Sequence, residues 1–236
     1  MTIEKKVNKG NILRFDCARS SAGQSRSLLS SWSGVRILPG APFLKIMDQC
    51  TRCARCCLTS PPSLHLEDKS LITSSNISLD SFVTYRLGEI VFDHSLYQYV
   101  CLEKELIKLR QGKAGCVFLE GNKCRIYEVR PIECRSFFCA DPDDLLAIKG
   151  RNLLSRTDVI ENLELKEVVL AHEKFCSLPK VKELLQANKQ EELLKLIGLD
   201  EEFRLYLQEK YDLCTLDFYL GRPVKEIIGE LKPFLV

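Results

Sequence analysis

The sequence predicts an α+β chain, with a small cysteine-rich, metal-centred domain carrying a short hairpin, followed by a mainly helical C-terminal part. Two observations carry this. Eight of the twelve cysteines fall in two compact groups, one in residues 50–57 and one in residues 116–139. Beyond Asp141, apolar residues recur at helical spacing with good helix formers between them.

The 236 residues are enough for one domain with a sizeable core or two small ones. A hydrophobic fraction of 45% and a charged fraction of 28% are ordinary for a globular chain. No apolar run approaches the roughly 18 residues that a membrane-spanning helix needs. The formal net charge of +2 is too small to imply a nucleic-acid partner, and it is unevenly spread. Residues 1–46 hold eight Lys or Arg against Glu4 and Asp16, which leaves 26 basic and 30 acidic residues in the remainder. The segment after residue 46 is therefore mildly acidic.

Residues 17–46 are rich in Ser, Gly and Arg, contain no acid and follow neither a helical nor a strand period. Residues 20–25 (SSAGQS) back-translate into codons resembling the D-arm of a transfer-RNA gene, and residues 34–38 (GVRIL) into codons resembling its T-arm. The expectation is that residues 1–46 are a non-native or disordered extension from a misassigned start, and that the working protein begins at Met47. Cys17 and Trp32 then carry no functional weight. The three expected regions are 1–46, a metal-binding domain over 47–140 and a helical region over 141–236.

From Met47 onward the elements follow in order. After the first cysteine group, Pro61 and Pro62 force extended or turn backbone. A short helix is expected from Leu66, with Asn76 near its end, and another from Ser78 with Leu79, Phe82, Val83 and Leu87 on one face. Ile90, Phe92, Tyr97, Tyr99 and Leu106-Ile-Lys-Leu suggest short strands. Val117-Phe-Leu-Glu, Gly121-Asn122 and Lys-Cys-Arg-Ile read as a tight hairpin, because Gly and Asn tolerate positive φ. Arg130-Pro131 fits a helix start with Pro at the first helical position. Helical patterns then cover 145–154, 159–174, 180–196, 201–211 and 224–231, punctuated by Gly198 and Gly221. Their apolar stripes read as core and their Glu and Lys runs as solvated faces.

The first cysteine group reads Cys50-Thr-Arg-Cys53-Ala-Arg-Cys56-Cys57, and the second supplies Cys116, Cys124, Cys134 and Cys139. Thiolates two residues apart converge on one ion, because a short turn points both sulfurs the same way. The N-terminus shows no charged-then-apolar signal peptide, so metal ligation outweighs a disulfide framework or redox thiols. Four thiolates make a closed zinc site or hold an iron–sulfur cluster. Eight could build one or two centres. Side chains of the neighbours Cys56 and Cys57 tend to diverge, and spacing does not choose between them as ligands. A ferredoxin-type fourth ligand is missing, since Ser60 occupies its place before Pro61. A C-x3-C-x2-C pattern is absent, because Ser60 again stands where its last cysteine would fall.

Taken together, C-x2-C-x2-C-C, a Gly-Cys-x-Phe-Leu hairpin and Cys124-Arg-Ile-Tyr127-Glu-Val-Arg130-Pro131-Ile-Glu-Cys134-Arg135 resemble the YkgJ-type cysteine-cluster family, described as zinc- or iron-chelating. The resemblance spans about residues 50–139 and implies metal ligation by Cys50, Cys53, Cys56, Cys57, Cys116, Cys124 and Cys134. Ser136-Phe137-Phe138-Cys139 departs from the family's aromatic-then-Pro pattern, which weakens the assignment of Cys139. A flagellin lysine N-methylase carries a similar cysteine motif, so the resemblance implies a metal site without choosing a reaction.

Arg130 and Arg135 flank the second group and read as charge balance for an anionic thiolate site. Tyr127 reads as a packing residue with a hydrogen-bonded hydroxyl. Of His65, His94 and His172, His65 lies nearest the cysteines, but a lone His is more often capped than ligating. Cys101, Cys176 and Cys214 read as small buried hydrophobes. The expected protein is cytoplasmic and binds zinc or iron, the latter as single ions or an iron–sulfur cluster. Its partner is a metal ion, without nucleic acid or membrane, and no signal identifies a protein partner. The alternatives are an iron–sulfur-dependent modifying enzyme, such as a protein lysine methyltransferase, and a metal chaperone.

Overall fold

The computed structural model of the protein describes residues 52–235, apart from 75, 76, 95, 140 and 214. The expectations for residues 1–46, Cys50, Asn76 and Cys214 lie outside the described residues. The observed class is mixed α and β: short and long helices with four small antiparallel two-stranded sheets among the described residues.

The chain opens with a five-residue helix, α1 (Arg55–Thr59). Residues 62–64 then lie beside a strand, with Pro62 O accepting from Leu109 N (3.2 Å) and Leu64 N donating to Ile107 O (2.8 Å). A 3₁₀ turn (Leu66–Asp68) leads into α2 (Lys69–Thr73), as the pattern predicts.

The helix expected from Ser78 does not form. A single 3₁₀ turn (Leu79–Ser81), capped by Ser78 Oγ, passes directly into β1 (Phe82–Tyr85). Phe82, Val83 and Thr84 are all buried, so β1 is covered on both faces. A strand covered on both faces shows no alternation, and its apolar run imitates a helical stripe. The expected strands appear as β2 (Ile90–Asp93), β3 (Gln98–Cys101) and β4 (Leu106–Leu109). β1 pairs with β4, Phe82 opposite Leu109, and β2 pairs with β3, Phe92 opposite Tyr99.

Two very short pairs follow: β5 (Gln111–Gly112) with β6 (Gly115–Cys116), and β7 (Leu119–Glu120) with β8 (Lys123–Cys124). The second is the expected hairpin, turning through Gly121 at φ +57°. Helix α3 (Ile132–Ser136) starts one residue later than expected, with Pro131 as its cap.

The helical part comprises α4 (Asp143–Ile148), α5 (Arg156–Val159), α6 (Leu163–Phe175), α7 (Leu178–Gln186), α8 (Gln190–Tyr211), α9 (Leu216–Tyr219) and α10 (Val224–Leu235). Asn162 caps α6 through Leu165 N (2.9 Å). The pattern over 145–154 breaks after Ile148, because Leu153 and Leu154 return to pair with His65 and Leu64. Gly198 does not interrupt a helix: α8 runs through it. The break falls instead at Asn188, φ +53°, where Lys189 N bonds Leu184 O and Asn188 N bonds Leu185 O. This is a Schellman ending with Asn in the left-handed position. Gly221, φ +73°, does punctuate the chain as expected.

One apolar cluster combines Leu64, Phe82, Ile107 and Phe118 from the strand region and Leu154 from the segment before α5 with Val169, Leu207 and Phe218 from the helices. A second is built from Val181, Leu196, Val224, Ile227 and Leu231 of α7, α8 and α10. Each side chain of this size contributes roughly 1.5–3 kcal/mol on burial.

Charges are buried beside these clusters. Arg86, fully buried, donates from Nε to Glu173 Oε2 (2.9 Å) and from Nη2 to Cys176 O (2.6 Å). Arg156 donates to Glu105 Oε2 (2.6 Å), Glu173 Oε2 (3.0 Å) and Tyr219 O (2.7 Å). Gly221 is required here twice over: its φ is positive, and a Cβ would lie 2.5 Å from Arg86 Cδ. His172 Nε2 meets Asp200 Oδ1 at 2.7 Å, and Asp200 Oδ2 accepts from Arg204 Nε and Val224 N, both at 3.1 Å. Burial lowers the His172 pKa, against the pull of Asp200, so the imidazole is neutral. These groups pair with one another, although Arg86 Nη1 and His172 Nδ1 are buried without a hydrogen-bond partner, and they tie α6, α8 and the strands together.

Candidate metal centre

The first cysteine motif is shaped by two residues in left-handed backbone. Arg52 has φ +53° and Ala54 has φ +63°, on either side of Cys53. A side chain costs about 1–2 kcal/mol in this region, and Ala54 is also buried. The two reversals fold the chain tightly around Cys53 before α1 carries Cys56 and Cys57.

Helix α1 lies directly on β6. Gly115, φ +106°, allows this: a Cβ there would stand 2.9 Å from Cys57 O and 3.0 Å from Leu58 Cδ2. Gln111 Nε2 donates to Leu58 O (3.1 Å) and closes the contact. Cys116, next to Gly115, is buried opposite Gln111, and Cys124 sits opposite Leu119 in the following hairpin.

Cys134 comes from α3, whose start is pinned by polar side chains. Asp68 Oδ1 accepts from Ile132 N (2.8 Å), and Glu133 Oε2 accepts from Ser63 N (2.7 Å). His65 Nε2 lies 3.2 Å from Glu133 Oε1 and is 2% exposed. This contact ties His65 to α3.

Cys56, Cys57, Cys116, Cys124 and Cys134 are carried by α1, β6, β8 and α3, and the charges of one sequence group reach the thiols of the other. Sγ of Cys56 and Sγ of Cys57 are 3.9 Å apart. Burial, and then the charges of Cys56, Cys116 and Cys124, push the Cys57 thiol up to about 12. Burial also pushes Cys134 up, with added repulsion from Cys116, Cys57, Cys56 and Cys124. Cys116 is raised by burial, with smaller contributions from Cys124 and Cys56. Thiolates this close resist ionisation together unless a cation offsets their charge.

Cys53 and Cys139 are exposed, and Cys50 lies outside the described residues. Among the described residues, no three His, Cys, Asp or Glu side chains already stand around one point as a ligand shell. The donor chemistry suits a thiophilic cation, and a bound ion would draw these thiols closer than they stand here. Cys176 is fully buried among the helices, as expected, whereas Cys101 is half-buried at the end of β3 and disulfide-bonded.

Around the thiols, Tyr127 is held by cations. The Arg130 guanidinium lies 3.6 Å from the ring centroid and that of Arg52 lies 4.2 Å from it. Arg130 Nε also donates to Tyr127 O (2.8 Å). The ring thus joins the first cysteine motif to the second. Arg135 is exposed and stands 4.0 Å from Asp68. The Tyr127 bridge, the Gly115 contact and the Asp68 cap were not readable from spacing, because each joins residues tens of positions apart. The buried His172–Asp200 pair likewise has no sequence signature.

Among the described residues, no helix is long and apolar enough to cross a membrane. No curated protein and no solved structure matches the chain. Residues 49–216 match the family described as "CxxCxxCC: Putative zinc- or iron-chelating domain". That span includes every expected ligand and most of the helical part. The chain therefore belongs to the CxxCxxCC family.

Proposed function

We propose that this protein holds zinc or iron on thiolates drawn from both cysteine groups. Cys56, Cys57, Cys116, Cys124 and Cys134 are the central donors, with Cys50 and Cys53 completing the first motif and Cys139 at the edge of the set. The observation that supports this is the packing of α1, which carries Cys56 and Cys57, on β6, which carries Cys116, with the Tyr127 ring between Arg52 of the first motif and Arg130 of the second. A bound cation supplies the charge that lets the thiols ionise, and so ties the two groups together. Seven or eight cysteines allow one or two centres within residues 47–140. Arg52 and Arg130, stacked on Tyr127, reduce the cost of a thiolate site that carries net negative charge.

The deciding experiment is metal and sulfide analysis of the full chain purified without oxygen, with an absorption spectrum. Zinc without a visible band is expected for plain thiolate ligation. Iron with matching sulfide would move an iron–sulfur enzyme to the front. Cys116→Ser and Cys134→Ser should each lower bound metal. Full occupancy in both variants would overturn the assignment of the central donors.

A second reading is supported by the exposure of Cys53 and Cys56. Accessible thiolates exchange ligands readily, as a metal chaperone requires. It predicts transfer of the metal to a competing chelator without unfolding, whereas a closed structural site releases metal only as the fold opens.

A further inference from the structure

On the helical part, away from the cysteine motifs in sequence, a groove of about 540 Å³ runs between α6 and α8. Its floor is apolar: Val168 and Ala171 from one helix, Leu199 and Phe203 from the other. Its rim is acidic, carrying Glu164, Glu167 and Glu202. Lys210 pairs with Glu164, while Glu167 and Glu202 are exposed.

Three exposed leucines lie beyond the rim. On α6, Leu163 (76% exposed) and Leu170 (51%) lie one turn to either side of Glu167. On α8, Leu205 (56% exposed) lies one turn beyond Glu202. A helix pair serving only its own core would turn polar residues outward at these positions. Leucines set among carboxylates are the complement of a helix that carries apolar residues on one face with Lys or Arg beside them.

We propose that the α6–α8 groove is a docking site for a cationic amphipathic helix presented by a partner protein. The partner's apolar residues would lie on Val168, Ala171, Leu199 and Phe203, as in other helix-in-groove complexes. Its cations would meet Glu167 and Glu202 at the rim, where charge sets specificity and on-rate more than affinity. The carboxylates disfavour an acidic peptide or an anionic membrane surface at the same place. This inference is independent of the metal centre.

The test uses the full chain with its metal retained and a fluorescein-labelled Leu/Lys peptide of about four helical turns, apolar at i, i+3, i+4 and i+7. Anisotropy should show saturable binding that weakens as salt is raised. The Glu167→Lys/Glu202→Lys variant alters two exposed positions, so its circular dichroism should be unchanged and its affinity roughly tenfold lower. Three results would overturn the proposal: no saturable binding, equal binding of a scrambled or Leu/Glu peptide, or undiminished binding by the variant. Sedimentation gives a fourth: if the chain self-associates and the charge reversal alters that association, a second copy covers the groove instead.

Discussion

The cysteine-bearing region and the helical region are stabilised by different means. The elements that carry the two cysteine groups are a five-residue helix, two two-residue strands and another five-residue helix. Helices α1 and α3 contain no buried residue. By contrast, α6, α7, α8 and α10 bury continuous apolar stripes and enclose Arg86, Arg156, His172 and Asp200 with their partners. The second region obtains its order from area and satisfied charge. The first has little of either, and its backbone around Cys53 is strained. In the proposed function a bound metal supplies the missing stabilisation, as it does in small thiolate sites.

The largest effect expected is from metal removal. Chelation should abolish hydrogen-exchange protection in residues 53–59 and 111–139 while leaving α6–α10 protected, since apparent binding energies of structural zinc are on the order of 10 kcal/mol. Uniform protection in both states would remove the distinction between the regions.

Breaking the buried charge network comes next. Arg156→Ala strands Glu105, leaves Glu173 with Arg86 alone, and should cost about 3–5 kcal/mol in urea unfolding, with bound metal per folded chain unchanged. A loss below about 1 kcal/mol would show that the helical region does not depend on these pairs.

Acid should act on the helical region through His172. Its folded pKa lies below the unfolded value of about 6.5, so the unfolded chain binds more protons as pH falls. Stability contributed above that value is then lost as pH drops through the folded pKa. The facing charges are Asp200, Arg86 and Glu173. The carboxyls of Asp200 and Glu173, for which hydrogen bonds and arginine charges outweigh burial, add their own losses only at lower pH. His172→Gln should flatten the slope of stability between about pH 7 and pH 5, and an unchanged slope would place the effect elsewhere.

The smallest effect tests backbone strain in the cysteine region. Ala54→Gly relieves a left-handed alanine and should stabilise the metal-free chain by about 1 kcal/mol. A clear destabilisation would mean that the buried Ala54 methyl matters more than its φ.

Much of this protein was legible in its sequence. Cysteine spacing marked the candidate ligands, Gly121-Asn122 marked a hairpin, and the apolar periods marked the C-terminal helices. These are local signals, in which the residues that matter are neighbours along the chain. Tertiary structure alone decided the rest. Phe82, Val83 and Thr84 became a strand because β4 was there to pair its edge and α9 to pack against it. Gly198 stayed helical because flanking turns of α8 were packed on both sides, while Asn188 ended α7 through a bond pattern that spacing does not reveal. His65, Asp68 and Glu133 position Cys134 across some seventy residues of chain. The buried charges pair over comparable separations. Local spacing thus names the candidate thiols, but the elements that carry them are held by contacts whose partners are far apart in sequence, and only the fold brings those partners together.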